Sequence, residues 1–192
     1  KAVGISSDTL ALPADTAMDD LLARIAELNT NPDVSGMIVQ LPLPDHMDDA
    51  TATRAVDPAK DVDGLHPVNL GLLARGEPHF VSATPAGVQQ MLMRSGHDPA
   101  GKRVVVVGRS TLVGRPVAML LANKGPGANA TVTMAHTGTT DLAAITREAE
   151  ILIVAAGRPR MITAEMVAHG AVVIDVGVNR VDDASRKRGY RL

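Results

Sequence analysis

Two kinds of apolar pattern divide this chain. In the second half four valines stand in a row, Val104 to Val107. A strand can hide such a run only when both its faces are covered, as in a parallel sheet. The run stops at Gly108, and Gly114-Arg115-Pro116 opens a helical pattern through Val117, Leu120 and Leu121. Beyond it the alternation is regular: helix 116–123, strand 131–135, helix 142–149, strand 151–155, a short helix 164–168 and strand 171–176. In the first half Met18, Leu21, Leu22, Ile25 and Leu28 recur at helical spacing as far as Asn29. Thr16 with Asp19 fits a capping box ahead of that helix. Residues 1–13 predict one edge strand, and Gly36 to Gln40 predict a buried strand stopped by Leu41-Pro42-Leu43-Pro44. A short helix is expected over 50–56, residues 65–82 read as irregular, and Thr84-Pro85 starts a helix running to Gly96. Helix alternating with buried strand gives an α/β fold with a doubly wound parallel sheet in the second half. The domain boundary falls between 83 and 84.

The strand ends carry the chemistry. Strand, glycine turn and helix is the context a dinucleotide phosphate needs, with free backbone N–H groups and the positive end of a helix macrodipole. The spacing here is Gly108-x-Ser110-x-x-x-Gly114. Serine replaces the second glycine of the usual motif and the last glycine comes one residue late, so the cofactor sits differently, with the Ser110 hydroxyl as a donor. The other strands end in His136-Thr137-Gly138, Gly157-Arg158-Pro159 and Gly177-Val178-Asn179, and these ends are expected to line one crevice. NAD-binding sheets place an acid about 20 residues past the first glycine to hold the ribose 2′-hydroxyl. Here that place reads Ala135-His136-Thr137, and Arg109 stands ready for a 2′-phosphate instead. NADP is therefore expected over NAD.

Two polar sites in the first half have two readings each. Gln40 ends its strand, where it either satisfies backbone groups of the proline turn or faces a ligand on the sheet rim. Lys60-Asp61-Val62-Asp63-Gly64 puts two carboxylates on one side of an extended stretch, where they form a capped polar turn or aim one acid at a ligand. Two acids alone fall short of a calcium loop.

Composition removes several classes. The 192 residues hold 19 Lys and Arg against 21 Asp and Glu, so no charge excess points to nucleic acid or a membrane surface. One Phe, one Tyr and no Trp leave little on which to stack bases. Zero cysteines exclude disulfides, thiolate metal sites and cysteine nucleophiles, in keeping with a cytoplasmic address. The sequence contains no membrane span and opens on no signal peptide. The six histidines show no ligand spacing, Ser110 lacks the glycine of a nucleophile elbow, and most of the nine methionines fall at core spacing. Lys1 begins without Met, and residues 186–192 look like half a hairpin without its partner, so a fragment of a longer protein is expected.

Together these residues closely resemble the bifunctional methylenetetrahydrofolate dehydrogenase/methenyltetrahydrofolate cyclohydrolase family. The likeness rests on Val39-Gln40-Leu41-Pro42-Leu43-Pro44, Lys60-Asp61-Val62-Asp63-Gly64, Thr84-Pro85-x-Gly87, Val106-Val107-Gly108-Arg109-Ser110 with Val113-Gly114-Arg115-Pro116, and Asp175-Val176-Gly177-Val178-Asn179-Arg180, all in the family's order. It implies oxidation of methylene-tetrahydrofolate by NADP, hydrolysis of the methenyl product to formyl-tetrahydrofolate, a cytosolic homodimer, and a role in one-carbon metabolism and purine synthesis. Gln40 would support the catalytic lysine and Asp63 would hold the pterin ring, with Val39 and Leu41 beside them. Gly108, Arg109 and Ser110 would bind the NADP phosphates, with Thr137 and Val178 completing the site. By this likeness the family's Tyr-x-x-x-Lys lies before Lys1 and its Pro-Gly-Gly-Val-Gly-Pro beyond Leu192. These 192 residues alone are therefore expected to be nearly inactive. The alternatives are a non-catalytic NADP-binding fragment or sensor, and a dehydrogenase of another carbonyl compound, for which no convincing His or Lys is in place.

Overall fold

The structure is a computed structural model and describes residues 4–178 together with 181, 182, 185, 190 and 191. The chain forms two compact units, Lys1–Asp61 and Val62–Leu192.

In the first unit, helix α1 (Met18–Thr30) buries Leu21 and Ile25. They pack against Ala52 and Val56 of helix α2 (Asp49–Ala55) and its C-cap, with Met37, Val39 and Leu43 closing the cluster. The α1 C-terminus is well served. The Lys60 ammonium donates to the carbonyls of Leu28 (2.9 Å) and Asn31 (2.7 Å), placing a cation at the negative end of the helix. Asn29 ties the two helices, donating to the Ala55 carbonyl and accepting from the Asp57 N–H.

Three expectations fail here, each for a local reason. Thr16 does not cap α1: its hydroxyl donates to the Pro13 carbonyl, and the helix starts after Ala17, with Asp19 and Asp20 in its first turn. Residues 36–40 form one parallel bridge, Met37 to Asp61, with the Met37 N–H donating to the Lys60 carbonyl. Ile38 is 61% exposed. A buried strand needs neighbours along its length, and among the described residues Asp61 alone supplies one. Residues 4–13 likewise carry no strand, and Ile5, Leu10 and Leu12 are exposed.

The second unit opens with a helix, α3 (Pro67–Ala74), inside the stretch 65–82 whose pattern predicts irregular chain. His66 Nδ1 accepts from the Val68 N–H and Pro67 holds the first position, both recognisable start signals. Gly71 breaks up the periodicity that would have shown it. Helix α4 (Ala83–Arg94) buries Pro85, Val88 and Leu92. Four strands follow: β1 (Arg103–Val107), β2 (Thr131–Ala135), β3 (Ile151–Val154) and β4 (Val172–Asp175). Helices α5 (Gly114–Ala122) and α6 (Leu142–Arg147) and a 3₁₀ turn (Ala164–Met166) alternate with them. All the pairings are parallel, in the order β2-β1-β3-β4.

The valine run explains the layering. Val104 and Val106 join Val88, Leu92, Val117 and Leu121 under α4 and α5. Val105 and Val107 face the other way, with Leu152, Leu142 and Ile145 beneath α6. Covering both faces of one strand with helices makes a doubly wound, Rossmann-like α/β sheet. Past it, β5 (Val181–Asp182) pairs antiparallel with β6 (Tyr190–Arg191). Tyr190 and Arg191 thus have their partner within the chain, correcting the half-hairpin expectation at those residues. Residues 179, 180, 183, 184, 186–189 and 192 lie outside the described residues.

The turn from β1 into α5 is set by two glycines. Gly108 has φ +132°, and a Cβ there would lie 2.6 Å from the Ala155 carbonyl oxygen. A Cβ on Gly114 would lie 2.3 Å from the Gly108 oxygen, a distance only the absence of the atom permits. Gly114→Ala should therefore destabilise the fold by about 2 kcal/mol or more, as overpacking against backbone does. Gly71→Ala, in open space within α3, should gain about 0.5–1 kcal/mol from helix propensity. Urea unfolding of the two variants beside the parent measures both.

Glu150 clamps the lower end of β1 to β3, accepting from the Arg103 N–H (3.1 Å) and the Lys102 ammonium (3.2 Å). These bonds hold its carboxyl below the usual carboxylate range. A depressed folded value means stability that is present above the unfolded carboxylate pKa and lost as pH falls through the folded one. Glu150→Gln should be less stable than the parent at neutral pH, with the difference closing as pH falls through the acid range beneath the unfolded carboxylate pKa. Urea midpoints across that range check it.

Candidate functional site

At the C-terminal ends of β1, β2 and β3 a cleft of about 260 Å³ opens in the second unit. Its walls are Val107, Gly108 and Arg109 after β1, His136 and Thr137 after β2, and Ala155, Ala156, Gly157, Arg158 and Met161 after β3. The chain leaves β1 toward β2 and returns on the other side of β1 as β3. That reversal is the topological switch point where open α/β sheets bind ligands. Backbone bonds draw the three ends together. The Gly108 N–H donates to the Ala135 carbonyl and the Ala155 N–H to the Val107 carbonyl, each at 2.8 Å.

The rim is cationic. Arg109 and Arg158 are exposed, and among the described residues no acidic residue lines the cleft and neither guanidinium has an ion pair. His136 turns inward on its own loop. Its Nδ1 accepts from the Gly138 N–H (3.0 Å), so the neutral ring carries its proton on Nε2. Thr139 Oγ1 accepts from the His136 N–H, which fixes the loop that presents Thr137.

The start of α5 departs from what the motif predicts. Ser110 Oγ accepts from the N–H groups of Val113 (3.1 Å) and Gly114 (3.3 Å), and the Ser110 carbonyl accepts from Arg115. Pro116 has no N–H, and Val117 donates back to Val113. The first turn of α5 therefore has no donor left free for a phosphate. The serine that replaces the second glycine is a cap, and its hydroxyl keeps one proton of its own to give.

Of the residues expected to bind cofactor, the structure brings Gly108, Arg109 and Thr137 into the cleft. Ser110 lies at the head of α5, off the walls, and Val178 follows β4, 78% exposed and also off the walls. Among the described residues that follow β4, none lines the crevice that the other three ends share, and Asn179 lies outside the described residues. Met161 is an unforeseen lining residue. It also packs in the cluster beneath α6, and a methionine at core spacing gives no signal of a second role.

The residues expected to meet substrate fall in both units. Val39 is half-buried in the α1–α2 cluster, and Leu41, half-buried, begins a cis bond to Pro42. Gln40 is exposed, and its amide donates to the Leu41 carbonyl (3.1 Å), the backbone-satisfying role. Asp61 is 5% exposed and belongs to the first unit. Asp63 is half-buried and belongs to the second. The two acids do not share an extended stretch, because the chain turns at 62–63 into Gly64 at φ +64°.

Comparison with known proteins agrees with this geometry. The family model described as tetrahydrofolate dehydrogenase/cyclohydrolase, catalytic domain, matches residues 1–63. The NAD(P)-binding domain model of the same family matches residues 82–190. The chain is 55% identical over 190 residues to bifunctional protein FolD of Salinibacter ruber, covering 99% of this chain and 63% of that protein. Against bifunctional protein FolD of Cytophaga hutchinsonii it is 50% identical, covering 99% and 66%. The chain thus spans a little under two thirds of these relatives. Among solved structures, the Trypanosoma brucei methylenetetrahydrofolate dehydrogenase-cyclohydrolase, complexed with NADP cofactor and inhibitor, matches with a TM-score of 0.90 at 41% identity, over 99% of this chain and 64% of that one. The bifunctional FolD of Campylobacter jejuni matches with a TM-score of 0.83 at 40% identity, over 92% and 60%. On the two domain matches and the identity to these relatives, this chain belongs to the tetrahydrofolate dehydrogenase/cyclohydrolase family.

Proposed function

We propose that the protein bearing this chain oxidises methylene-tetrahydrofolate to methenyl-tetrahydrofolate with NADP and hydrolyses that product to formyl-tetrahydrofolate. Family membership supports the reaction class, and one observation carries the cofactor: the switch-point cleft has an arginine after its first strand and no carboxylate after its second. An acid after β2 would receive a ribose 2′-hydroxyl and repel a 2′-phosphate. Arg109 does the reverse, offering a planar guanidinium to the phosphate. The donor set fits a dinucleotide, since Gly108 and Gly114 clear the backbone at the turn and both charged lining groups are cations. NADP bound there would supply the hydride acceptor.

On the substrate side, hydride loss from the methylene carbon leaves a methenyl cation. Water adds to it, the ring opens to the formyl amide, and one proton is released. Asp63 would hold the pterin ring, and Gln40 would support the lysine of the family's Tyr-x-x-x-Lys motif, with Val39 and Leu41 shaping the wall. Ser110, Thr137 and Val178 would complete the cofactor contacts. Two copies of the protein would associate in the cytoplasm. Among the described residues no helix is long and apolar enough to cross a membrane.

The test is a coupled measurement on the full-length protein. NADPH formation from methylene-tetrahydrofolate and loss of methenyl absorbance should both be found, with NADP preferred to NAD. Arg109→Gln should lower that preference by about tenfold, the scale of one charge-assisted phosphate contact. Asp63→Ala should lower kcat/KM for the folate by at least about tenfold while NADP affinity holds. Full activity in Asp63→Ala would remove the acid from the site.

A further inference from the structure

We infer that Arg158 supplies the positive charge that holds the dinucleotide pyrophosphate, in place of the helix N-terminus that usually does so. The inference rests on the dinucleotide reading of the cleft given above. It begins with the donors of α5. In the usual arrangement the amides of the first helical turn face the pyrophosphate. Here Ser110 has taken those of Val113, Gly114 and Arg115 through its hydroxyl and carbonyl oxygens, and Pro116 has none. A doubly charged group entering the switch point then needs its counter-charge from a side chain.

Among the described residues two guanidinium groups line the cleft, and the strand order separates their tasks. The ribose 2′ position is read beside the end of the strand that follows the first crossover, which is β2. Strand β3 stands across β1 from β2, so a side chain from its loop addresses the middle of the dinucleotide and not the 2′ substituent. Arg158 sits on that loop. Its backbone is restricted on the C-terminal side, by the fixed ring of Pro159 and then by Arg160 in the left-handed region at φ +56°. A non-glycine residue there costs on the order of 1 kcal/mol, which the loop retains while keeping Arg158 on the rim. A guanidinium is suited to the task because it meets two phosphate oxygens at once.

The division of labour is read by affinity, without turnover. Dissociation constants of NADP and NAD, measured by calorimetry on the full chain, are compared for the parent, Arg158→Gln and Arg109→Gln. Arg158→Gln should weaken both dinucleotides by about tenfold and leave their ratio unchanged within about twofold. Arg109→Gln should weaken NADP alone. Inorganic pyrophosphate should compete with NADP in the parent and in Arg109→Gln but not in Arg158→Gln. Arg158→Lys should keep part of the affinity, and the ligand-free melting temperature should be unchanged in every variant. Loss confined to NADP would place Arg158 on the 2′-phosphate and overturn the assignment. Unchanged affinity for both would reduce Arg158 to a solvated rim residue and overturn it equally. Failure of the parent to bind either dinucleotide would instead remove the cofactor reading itself, and this inference with it.

Discussion

Among the described glycines, Gly114 is the most tightly constrained, its backbone lying against the carbonyl of Gly108. Backbone meets backbone there with no room for a Cβ, so α5 can lie across the end of β1 only with glycine at that position. Once α5 is seated, Val117 and Leu121 reach Val104 and Val106, and the chain is set to return as β2 on one side of β1. The later reversal to β3 on the other side then opens the cleft. The cleft is thus a consequence of how the sheet is wound and not a separate feature added to it.

Fold and site were legible to different degrees, for physical reasons. Four consecutive valines have one low-energy solution, a strand covered on both faces, and the structure covers them with α4 and α5 on one side and α6 on the other. Gly36 to Gln40 looked similar in composition, yet a strand depends on partners that composition does not announce, and one bridge is what it finds. Helix α3 was hidden because Gly71 interrupts its pattern, although His66 and Pro67 carried the start signal. In the site, Gly108, Arg109 and Thr137 were readable from their places at strand ends. Met161 was not, since its contact with the cleft comes from a loop that folds back beneath α6.

Ser110 shows how one substitution in a motif moves a function elsewhere. A hydroxyl at this position satisfies the helix start locally, which steadies the turn and withdraws its amides from outside partners. On the assignment proposed for Arg158, charge recognition passes from neutral backbone donors to side chains on neighbouring loops. Such a site is more sensitive to salt than one built on buried amides, because exposed guanidinium groups are screened.

Met161 belongs both to the apolar layer beneath α6 and to the wall of the cleft. The floor of the site and the lower core are therefore one continuous packing. An unbranched thioether with three rotatable bonds can change its shape without displacing the backbone that carries it. The cleft accordingly has a compliant patch set in a stiff sheet, where differences in the contents of the site are absorbed by one side chain before they reach the strands.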